Sequence, residues 1–266
     1  MIIDTHSHIH FKDFPDREVV LKRSIEAGVK AQILVGGTPG DSFDARQFIR
    51  KHPDCQLWCT LGVHPHNADE FTDEIEAQFE KLAEEKEIVA IGEIGLDYFR
   101  NFKPAQIQQK AFRKQLELAK KLDLSVVIHI RDAWDDAFAI LKESGNNKVI
   151  LHCFTGNLSQ AEYSWENGWF VSFSGVLTYP KNEYLREIAK LAPQDKILLE
   201  TDCPYLPPQI YRGKRNEPAY IIETAKILAE IRGVSLERIA DITTKNAFKA
   251  FCIEAIPSAP EAELRN

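Results

Sequence analysis

The segment Ile2-Ile3-Asp4-Thr5-His6-Ser7-His8 opens the chain and sets the pattern from which the fold can be traced. Apolar and β-branched residues lead into two histidines two positions apart, and residues two apart on a β-strand point to the same face. The segment therefore predicts an opening strand that presents the His6 and His8 imidazoles at its carboxyl end. A single His-x-His pair is more often a surface or turn feature than a metal site, so its function depends on the rest of the chain.

Seven further apolar, β-branched runs follow the opening segment. The eight runs cover residues 2–6, 31–35, 57–63, 88–94, 125–130, 148–153, 169–174 and 196–201. Near-continuous apolar runs are typical of parallel strands that are buried on both faces. Between them, stretches such as residues 71–86 and 104–122 keep a helical stripe of apolar side chains. Eight alternating strand–helix units predict an α/β fold, namely the (β/α)8 TIM barrel.

The length of 266 residues suits either two ordinary domains or one large α/β barrel. No Pro/Ser-rich linker and no shift of composition divides the alternating units, so we predict a single barrel domain over residues 1–253. Two helices follow the eighth run, at residues 219–232 and 235–251, and the second is an extra C-terminal helix capped by Ser235. Residues 254–266 lack periodicity and are predicted to form a frayed tail.

Composition restricts the expected location and partners of the protein. No apolar run reaches 18 residues and no secretory signal opens the chain, so we expect a soluble, cytoplasmic protein without a membrane span. Five cysteines without a Cys-x-x-Cys pair fit reduced thiols better than a disulfide framework. A net charge of −7 argues against broad binding of duplex nucleic acid but allows a local basic lip that grips a strand end. No obligate protein partner is indicated.

Histidines and acids concentrate where the predicted strands end. They are His6 and His8 of the first strand, His64 after the third, Glu93 in the fourth, His129 in the fifth, His152 in the sixth and Asp202 after the eighth. The C-terminal strand ends form the face on which barrels of this kind build their active sites. Strand alternation places Glu93 in line with Val89 and Ile91, and Asp202 in line with Glu200, so that these acids can point into the barrel.

Each of these side chains alone is better explained by hydrogen bonding in a loop than by metal binding. Together, four imidazoles and two carboxylates in one small space would repel or remain unsatisfied without a cation. Nitrogen and oxygen ligands without thiolate suit zinc, manganese, nickel, iron or magnesium, and six ligands exceed what one catalytic zinc takes. We therefore predict two divalent metal ions, with Glu93 as the bridge and Asp202 as ligand and general base. The other ligands are divided between the ions, His6 and His8 on one and His129 and His152 on the other.

Six motifs, in this order and spacing, resemble the signatures of the TatD family of metal-dependent deoxyribonucleases. They are Asp4-Thr5-His6-Ser7-His8, Leu61-Gly62-Val63-His64-Pro65-His66, Ile91-Gly92-Glu93-Ile94-Gly95-Leu96-Asp97-Tyr98, His152-Cys153-Phe154-Thr155-Gly156, Leu199-Glu200-Thr201-Asp202-Cys203-Pro204-Tyr205-Leu206 and Arg215-Asn216-Glu217-Pro218. The resemblance spans residues 2 to about 250. It implies a TIM barrel of the amidohydrolase-like superfamily, a dinuclear metal site and hydrolysis of DNA phosphodiester bonds, often from a 3′ end. It also implies the same six ligands as the interpretation above.

Groups that bind the substrate are expected at the same face. His64 is assigned to phosphate contact or to positioning of the leaving group, with a loop-capping histidine as an equal alternative. The loop after the eighth strand carries Arg212, Lys214 and Arg215, and we predict Arg215 and Asn216 as phosphate-binding residues over the barrel mouth. The expected substrate is a DNA strand end.

Two other functions remain open at the level of the sequence. A small-molecule amidohydrolase or phosphoesterase would use the same metals, although a neutral substrate would not require the basic loop. A non-catalytic barrel scaffold is disfavoured because the ligand set is complete and Asp202 is intact. The principal prediction is an enzyme that hydrolyses ester bonds, a deoxyribonuclease that acts as a 3′–5′ exonuclease on single strands or ends.

Overall fold

The computed structural model describes residues 1–12 and 14–254, and its strands form one parallel sheet that follows the order of the chain. The strands are β1 (Ile2–Ser7), β2 (Val29–Leu34), β3 (Gln56–Leu61), β4 (Ile88–Asp97), β5 (Ser125–Arg131), β6 (Val149–Leu151), β7 (Phe170–Phe173) and β8 (Ile197–Leu199). The ring closes between β8 and β1, where Ser7 pairs with Cys203 and the Asp202 amide donates to the His6 carbonyl. The predicted (β/α)8 TIM barrel is confirmed.

Helices connect the strands and cover the outside of the barrel. They are α1 (Arg17–Glu26), α2 (Pro39–Lys51), α3 (Asp73–Leu82), α4 (Ala105–Lys121), α5 (Trp134–Ser144), α6 (Leu158–Glu166), α7 (Glu183–Leu191), α8 (Ile221–Arg232) and α9 (Leu236–Ala250). Polar side chains begin several of them by accepting a free backbone N–H of the first turn. Ser235, for example, accepts from the Arg238 amide at 3.2 Å, so the predicted cap of the C-terminal helix is confirmed.

The extra helix α9 packs under the barrel, at the end where the strands begin. Ala250 and Phe251 belong to the apolar cluster that fills the barrel interior, together with Ile3 of β1 and Val127 of β5. The Ser125 hydroxyl, at the start of β5, donates to the Ala250 carbonyl at 2.6 Å. Because α9 fills this end, a cavity can open at the opposite end, where the carboxyl ends of the strands meet.

Strand β4 departs from the strict alternation that the sequence predicts. Val89 belongs to the inner cluster as expected, whereas Ile91 packs in the outer cluster between the sheet and the helices. The pairing of β4 with β5 shifts register between Ile91 and Ile94, and such a bulge changes the face to which the following side chains point. The alternation predicted for Ile91 is therefore wrong, and the bulge accounts for the inward position of Glu93.

Strands β6 and β8 are shorter than predicted. They end at Leu151 and Leu199 rather than at Cys153 and position 201. Cys153 and Asp202 have φ angles of 42° and 57°, a left-handed conformation that does not continue a strand. The segments that follow these strands, rather than the strands themselves, therefore carry the polar side chains at the barrel mouth.

None of the helices within residues 1–12 and 14–254 is both long enough and apolar enough to cross a membrane. The frayed tail predicted for residues 254–266 lies, from residue 255 onward, outside the described residues.

Candidate metal centre at the barrel mouth

Six side chains from five parts of the barrel converge on one small region at the carboxyl ends of the strands. They are His6 in β1, His8 directly after it, Glu93 in β4, His129 in β5, His152 after β6 and Asp202 after β8. His129 is half-buried, and the other five are buried in the protein. Gly95 permits the close passage of β4 beside β5, because a Cβ atom there would lie 2.0 Å from the His129 carbonyl oxygen.

Glu93 lies at the centre of this group, and its two carboxylate oxygens face different histidines. Oε1 lies 2.9 Å from Nδ1 of His129 and 2.8 Å from Nε2 of His152. Oε2 lies 3.4 Å from Nε2 of His6, which is itself 3.2 Å from Nε2 of His8. One carboxylate is thus shared by two sets of imidazoles, the arrangement expected of a residue that bridges two ions.

Asp202 faces the first of these sets. Its Oδ1 lies 3.7 Å from Nε2 of His6 and 3.6 Å from Nε2 of His8. These distances exceed those of hydrogen bonds and leave room for an ion or a water molecule between the groups.

Among the residues that the structure describes, three sets of side chains bring their ligand atoms within 4.8 Å of one another, as a single metal ion requires. The sets are His6 with His8 and Glu93, His6 with His152 and Asp202, and His64 with Glu93 and His129. All the donors are imidazole nitrogens or carboxylate oxygens, which suit divalent ions of the first transition series as well as Mg²⁺. The residues present therefore fit a metal centre. His64, assigned from the sequence to substrate contact, also stands within ligand distance of this centre.

Outer partners hold several of the imidazoles in place. Nδ1 of His8 donates to the Val35 carbonyl at 2.9 Å, and Nε2 of His129 donates to Oδ2 of Asp97 at 3.3 Å. Such a partner fixes which ring nitrogen carries the proton and leaves the other nitrogen free to bind a metal.

The carboxylate of Glu200 lies beside the ring nitrogen of His152 that faces away from Glu93. Its Oε1 lies 3.3 Å from Nδ1 of His152 and accepts the Cys153 amide at 2.6 Å. Oε2 of Glu200 has no hydrogen-bond partner among the described residues, and the side chain is fully buried. Nδ1 of His152 makes no hydrogen bond within the described residues, so Glu200 supports this ring through its charge, while Nε2 of His152 faces Glu93.

The charges within the cluster balance one another. Burial alone would raise the pKa of Glu93, but the imidazoles of His152 and His64 and a hydrogen bond from His129 hold this pKa well below its ordinary value. Burial opposes a charged imidazole at His152, yet the carboxylates of Glu93 and Glu200 raise the pKa of this histidine well above its ordinary value. The carboxylates of Glu93 and Glu200 and the imidazole of His152 therefore stabilise one another's charged forms. A divalent cation bound here would take over the stabilisation of the carboxylates.

A cavity of about 920 Å³ lies directly above the cluster. His8, His64, Glu93, His129, His152 and Asp202 form part of its lining. Three cationic side chains also line it, namely Arg100 after β4, Arg131 at the end of β5 and Lys181 after β7. The volume is in the range of small-ligand sites, and the lining can accommodate an anionic substrate above the cluster.

The residues predicted to grip phosphate, Arg215 and Asn216, do not line this cavity. Arg215 pairs with Asp16, with 2.8 Å between Nη2 and Oδ1, and its guanidinium lies over the Phe14 ring. Asn216 is fully buried, and its amide donates to the carbonyl oxygens of Thr201 and Tyr205. Both side chains are therefore committed to holding the loop, and their positions argue against the predicted substrate contacts.

The sequence interpretation did not assign Asp97, Glu200, Arg100, Arg131 or Lys181 to the site. Asp97 and Glu200 lie inside two of the quoted motifs, so their place beside predicted ligands was the available signal. No comparable signal marked the three cations, because surface Arg and Lys residues are common in any chain.

A parallel barrel with imidazoles and carboxylates clustered at its mouth has the architecture of metal-dependent hydrolases, and comparisons with known proteins agree. Residues 3–252 match the family model described as TatD related DNase. The "uncharacterized metal-dependent hydrolase YabD" of Bacillus subtilis is 38% identical over 256 residues, which are 95% of this chain and all of that protein. The "3'-5' ssDNA/RNA exonuclease TatD" of Erwinia tasmaniensis is 39% identical over 89% of this chain and 93% of its own length.

Solved structures lead to the same family. The crystal structure of YJJV, a TatD homologue from Escherichia coli K12, superposes with a TM-score of 0.88 at 30% identity. The match covers 96% of this chain and 98% of the homologue. The chain belongs to the TatD-related DNase family of metal-dependent hydrolases. The family resemblance predicted from the six motifs is confirmed.

Replacing Glu200 by glutamine is expected to weaken binding of a divalent ion by about 10- to 100-fold, because the neutral amide no longer holds and polarises the His152 ring. Isothermal titration of the metal-free protein with Mn²⁺ or Zn²⁺ would measure this change. Glu187→Gln, at an exposed position of α7, is the matched control. Equal affinities for the Glu200→Gln and control proteins would show that Glu200 does not support the metal centre.

Proposed function

We propose that the protein hydrolyses phosphodiester bonds of single-stranded nucleic acid, releasing nucleotides from 3′ ends with a dinuclear metal site. The proposal of two metal ions is supported by the position of Glu93, whose two carboxylate oxygens face separate sets of imidazoles. The substrate class is supported by family membership and by the Erwinia relative, whose name gives it 3′–5′ exonuclease activity on single-stranded DNA and RNA.

In this proposal, His6, His8, Glu93, His129, His152 and Asp202 hold two divalent ions chosen from zinc, magnesium, manganese and nickel. Ions bound there would lower the pKa of water and offset charge on the phosphoryl oxygens. The six side chains would position the ions relative to the water molecule and the phosphoryl group. Asp202 faces the open side of the cluster and acts as the general base, accepting a proton from the water molecule that attacks phosphorus.

Phosphate groups of the strand require cations along the cavity wall. Arg100, Arg131 and Lys181 line the cavity, and none of them is ion-paired with an acid within residues 1–12 and 14–254. His64 also lines the cavity, about 15% exposed, and can donate to a phosphoryl oxygen. Few phosphate contacts suffice to hold a strand end, which reconciles a nucleic-acid substrate with a net charge of −7.

The test is degradation of single-stranded DNA and RNA labelled at either end, with and without a chelator. Loss of label from the 3′ end first, abolished by EDTA and restored by a divalent ion, is the expected result. Activity that is indifferent to EDTA would contradict the metal mechanism. Absence of nucleotide release, with turnover of a panel of amides or small phosphoesters, would favour the small-molecule hydrolase instead.

Replacing both His6 and His8 by alanine is expected to reduce the metal content from about two ions per chain to about one. The reason is that His6 faces Oε2 of Glu93 and lies beside His8, while His129 and His152 face Oε1. Inductively coupled plasma mass spectrometry of the purified proteins would measure the ratio. The control is His52→Gln, because His52 pairs with Glu18 on the outside of the barrel. A single ion in the unsubstituted protein would contradict the dinuclear proposal.

A further inference from the structure

Two phenylalanines stand exposed in the loop between β4 and α4, at the rim of the cavity. Phe99 is 57% exposed and Phe102 is 63% exposed. Phe102 lines the cavity, and the centre of its ring lies 4.7 Å from that of His66. An exposed aromatic ring in the lining of a cavity offers a flat surface on which a planar ligand group can stack.

The loop that carries these rings is held at both ends by one buried side chain. Gln108 of α4, 1% exposed, accepts the Asp97 amide at 2.8 Å and donates to the Lys103 carbonyl at 2.7 Å. At its outer edge, Lys103 pairs with Asp69 at 2.6 Å. The rings are therefore presented from a fixed loop, which lowers the entropic cost of binding a ligand there.

Two arginines lie beside the Phe99 ring. The Arg131 guanidinium lies 3.9 Å from the centre of the Phe99 ring, and that of Arg100 lies 5.9 Å from it. Both line the cavity, and neither has an acid within ion-pair distance in the described part of the chain. Arg215, in contrast, is neutralised by Asp16. The rim therefore combines flat apolar surfaces with cations that lack a counter-ion.

The distance to the metal centre is short. The His66 ring, next to Phe102, lies 4.2 Å from the His64 ring, and Nε2 of His64 lies 3.5 Å from Oε1 of Glu93. Two histidine side chains thus separate the exposed ring from the centre. A base stacked on Phe102 would therefore belong to the nucleotide that carries the reacting phosphate or to the nucleotide next to it.

We propose that Phe99, Phe102, Arg100 and Arg131 form a subsite for one unpaired nucleotide, whose base stacks on Phe102 while the arginines bind the adjoining phosphates. The inference rests on the proposed function and specifies its substrate. An aromatic platform accepts the face of any base, and a guanidinium suits phosphate oxygens. In a duplex both faces of each internal base are already stacked, so this subsite selects single strands.

Binding of a fluorescein-labelled oligonucleotide with hydrolysis-resistant phosphorothioate linkages at its 3′ end, measured by fluorescence anisotropy with the divalent ion present, tests the subsite separately from catalysis. Phe102→Ala is expected to raise the Kd of a strand with an intact 3′-terminal dinucleotide by about 5- to 100-fold. With a strand that is abasic at those two positions, the unsubstituted protein should already bind weakly and Phe102→Ala should add no further loss. Phe102→Trp, which keeps a stacking surface, should retain the affinity for the intact strand.

The arginines are expected to act on both strands equally. Arg131→Gln should raise the Kd for the intact and the abasic strand alike and should reduce the salt dependence of binding by about one phosphate contact. Ile210→Ala and Lys22→Gln, at exposed positions outside the cavity lining, are the matched controls. If Phe102→Ala lowered the affinity for the intact and the abasic strand equally, or changed neither affinity, the stacking inference would be overturned. Failure of the proposed function would instead appear as absence of nucleotide release by the unsubstituted protein.

Discussion

Replacing Glu93 by glutamine is expected to reduce the rate of phosphodiester hydrolysis by about 10³-fold or more. Glu93 is buried among His6, His129 and His152, and both of its oxygens face imidazoles. A neutral amide has a single acceptor oxygen and no charge to balance two cations. The substitution therefore weakens both halves of the proposed centre, and with them the stabilisation of charge on the phosphoryl group.

Two measurements distinguish this explanation from loss of folding. Metal content determined by mass spectrometry should fall together with kcat, whereas far-UV circular dichroism should be unchanged. Glu84→Gln, at an exposed position before β4, provides the control for removal of one carboxylate. A Glu93→Gln protein that binds two ions and turns over normally would contradict the bridging assignment.

The Asp202→Asn substitution is expected to lower kcat by about 10²- to 10⁴-fold, the range for loss of a positioned general base. Although burial alone would raise the pKa of Asp202, the nearby imidazoles of His8, His6 and His152 keep this pKa below the ordinary value. The ionised form can accept a proton, whereas asparagine cannot. Asparagine keeps the size of the side chain and one oxygen, so the fold should be retained.

Rapid-quench measurements at saturating divalent ion would separate the two roles proposed for Asp202. If the residue acts as base, the chemical step should remain slow even when the metal content equals that of the unsubstituted protein. Recovery of the full rate at high metal concentration would show that Asp202 is a ligand alone. Asp195→Asn, exposed before β8, is the matched control.

Local sequence patterns were sufficient for the architecture. Apolar runs of strand length alternate with amphipathic helical stretches, and this alternation predicted eight βα units. Such a pattern can be read from residues close together in the sequence, because the spacing of apolar side chains differs between strands and helices. The same reasoning placed His6 and His129 near the carboxyl ends of strands, where a parallel barrel brings them together. It also predicted that Glu93 ends the fourth strand, which is wrong, because β4 continues to Asp97. The order of the six motifs was sufficient to predict the family.

Contacts between distant parts of the chain decided which cations remain available to a ligand. The residues next to Arg215 and Arg131 in the sequence do not show which of these two cations is neutralised, because the acids that could pair with them are brought near only by folding. Asp16 reaches Arg215 from the other end of the chain, whereas Arg131 meets Phe99 and keeps its charge available to a ligand. Ion pairing depends on distances in space, and no local period encodes those distances.

The bulge in β4 has the same explanation. Its position follows from the pairing with β5, so alternation along one strand could not show that Ile91 turns outward. The sequence by itself therefore determined the barrel, its family and the ring of histidines and acids at its mouth, since these follow from local periodicity and motif order. Only the tertiary structure decided which carboxylates support those histidines and which cations and aromatic rings face the cavity, because these depend on packing between segments that are far apart in the chain.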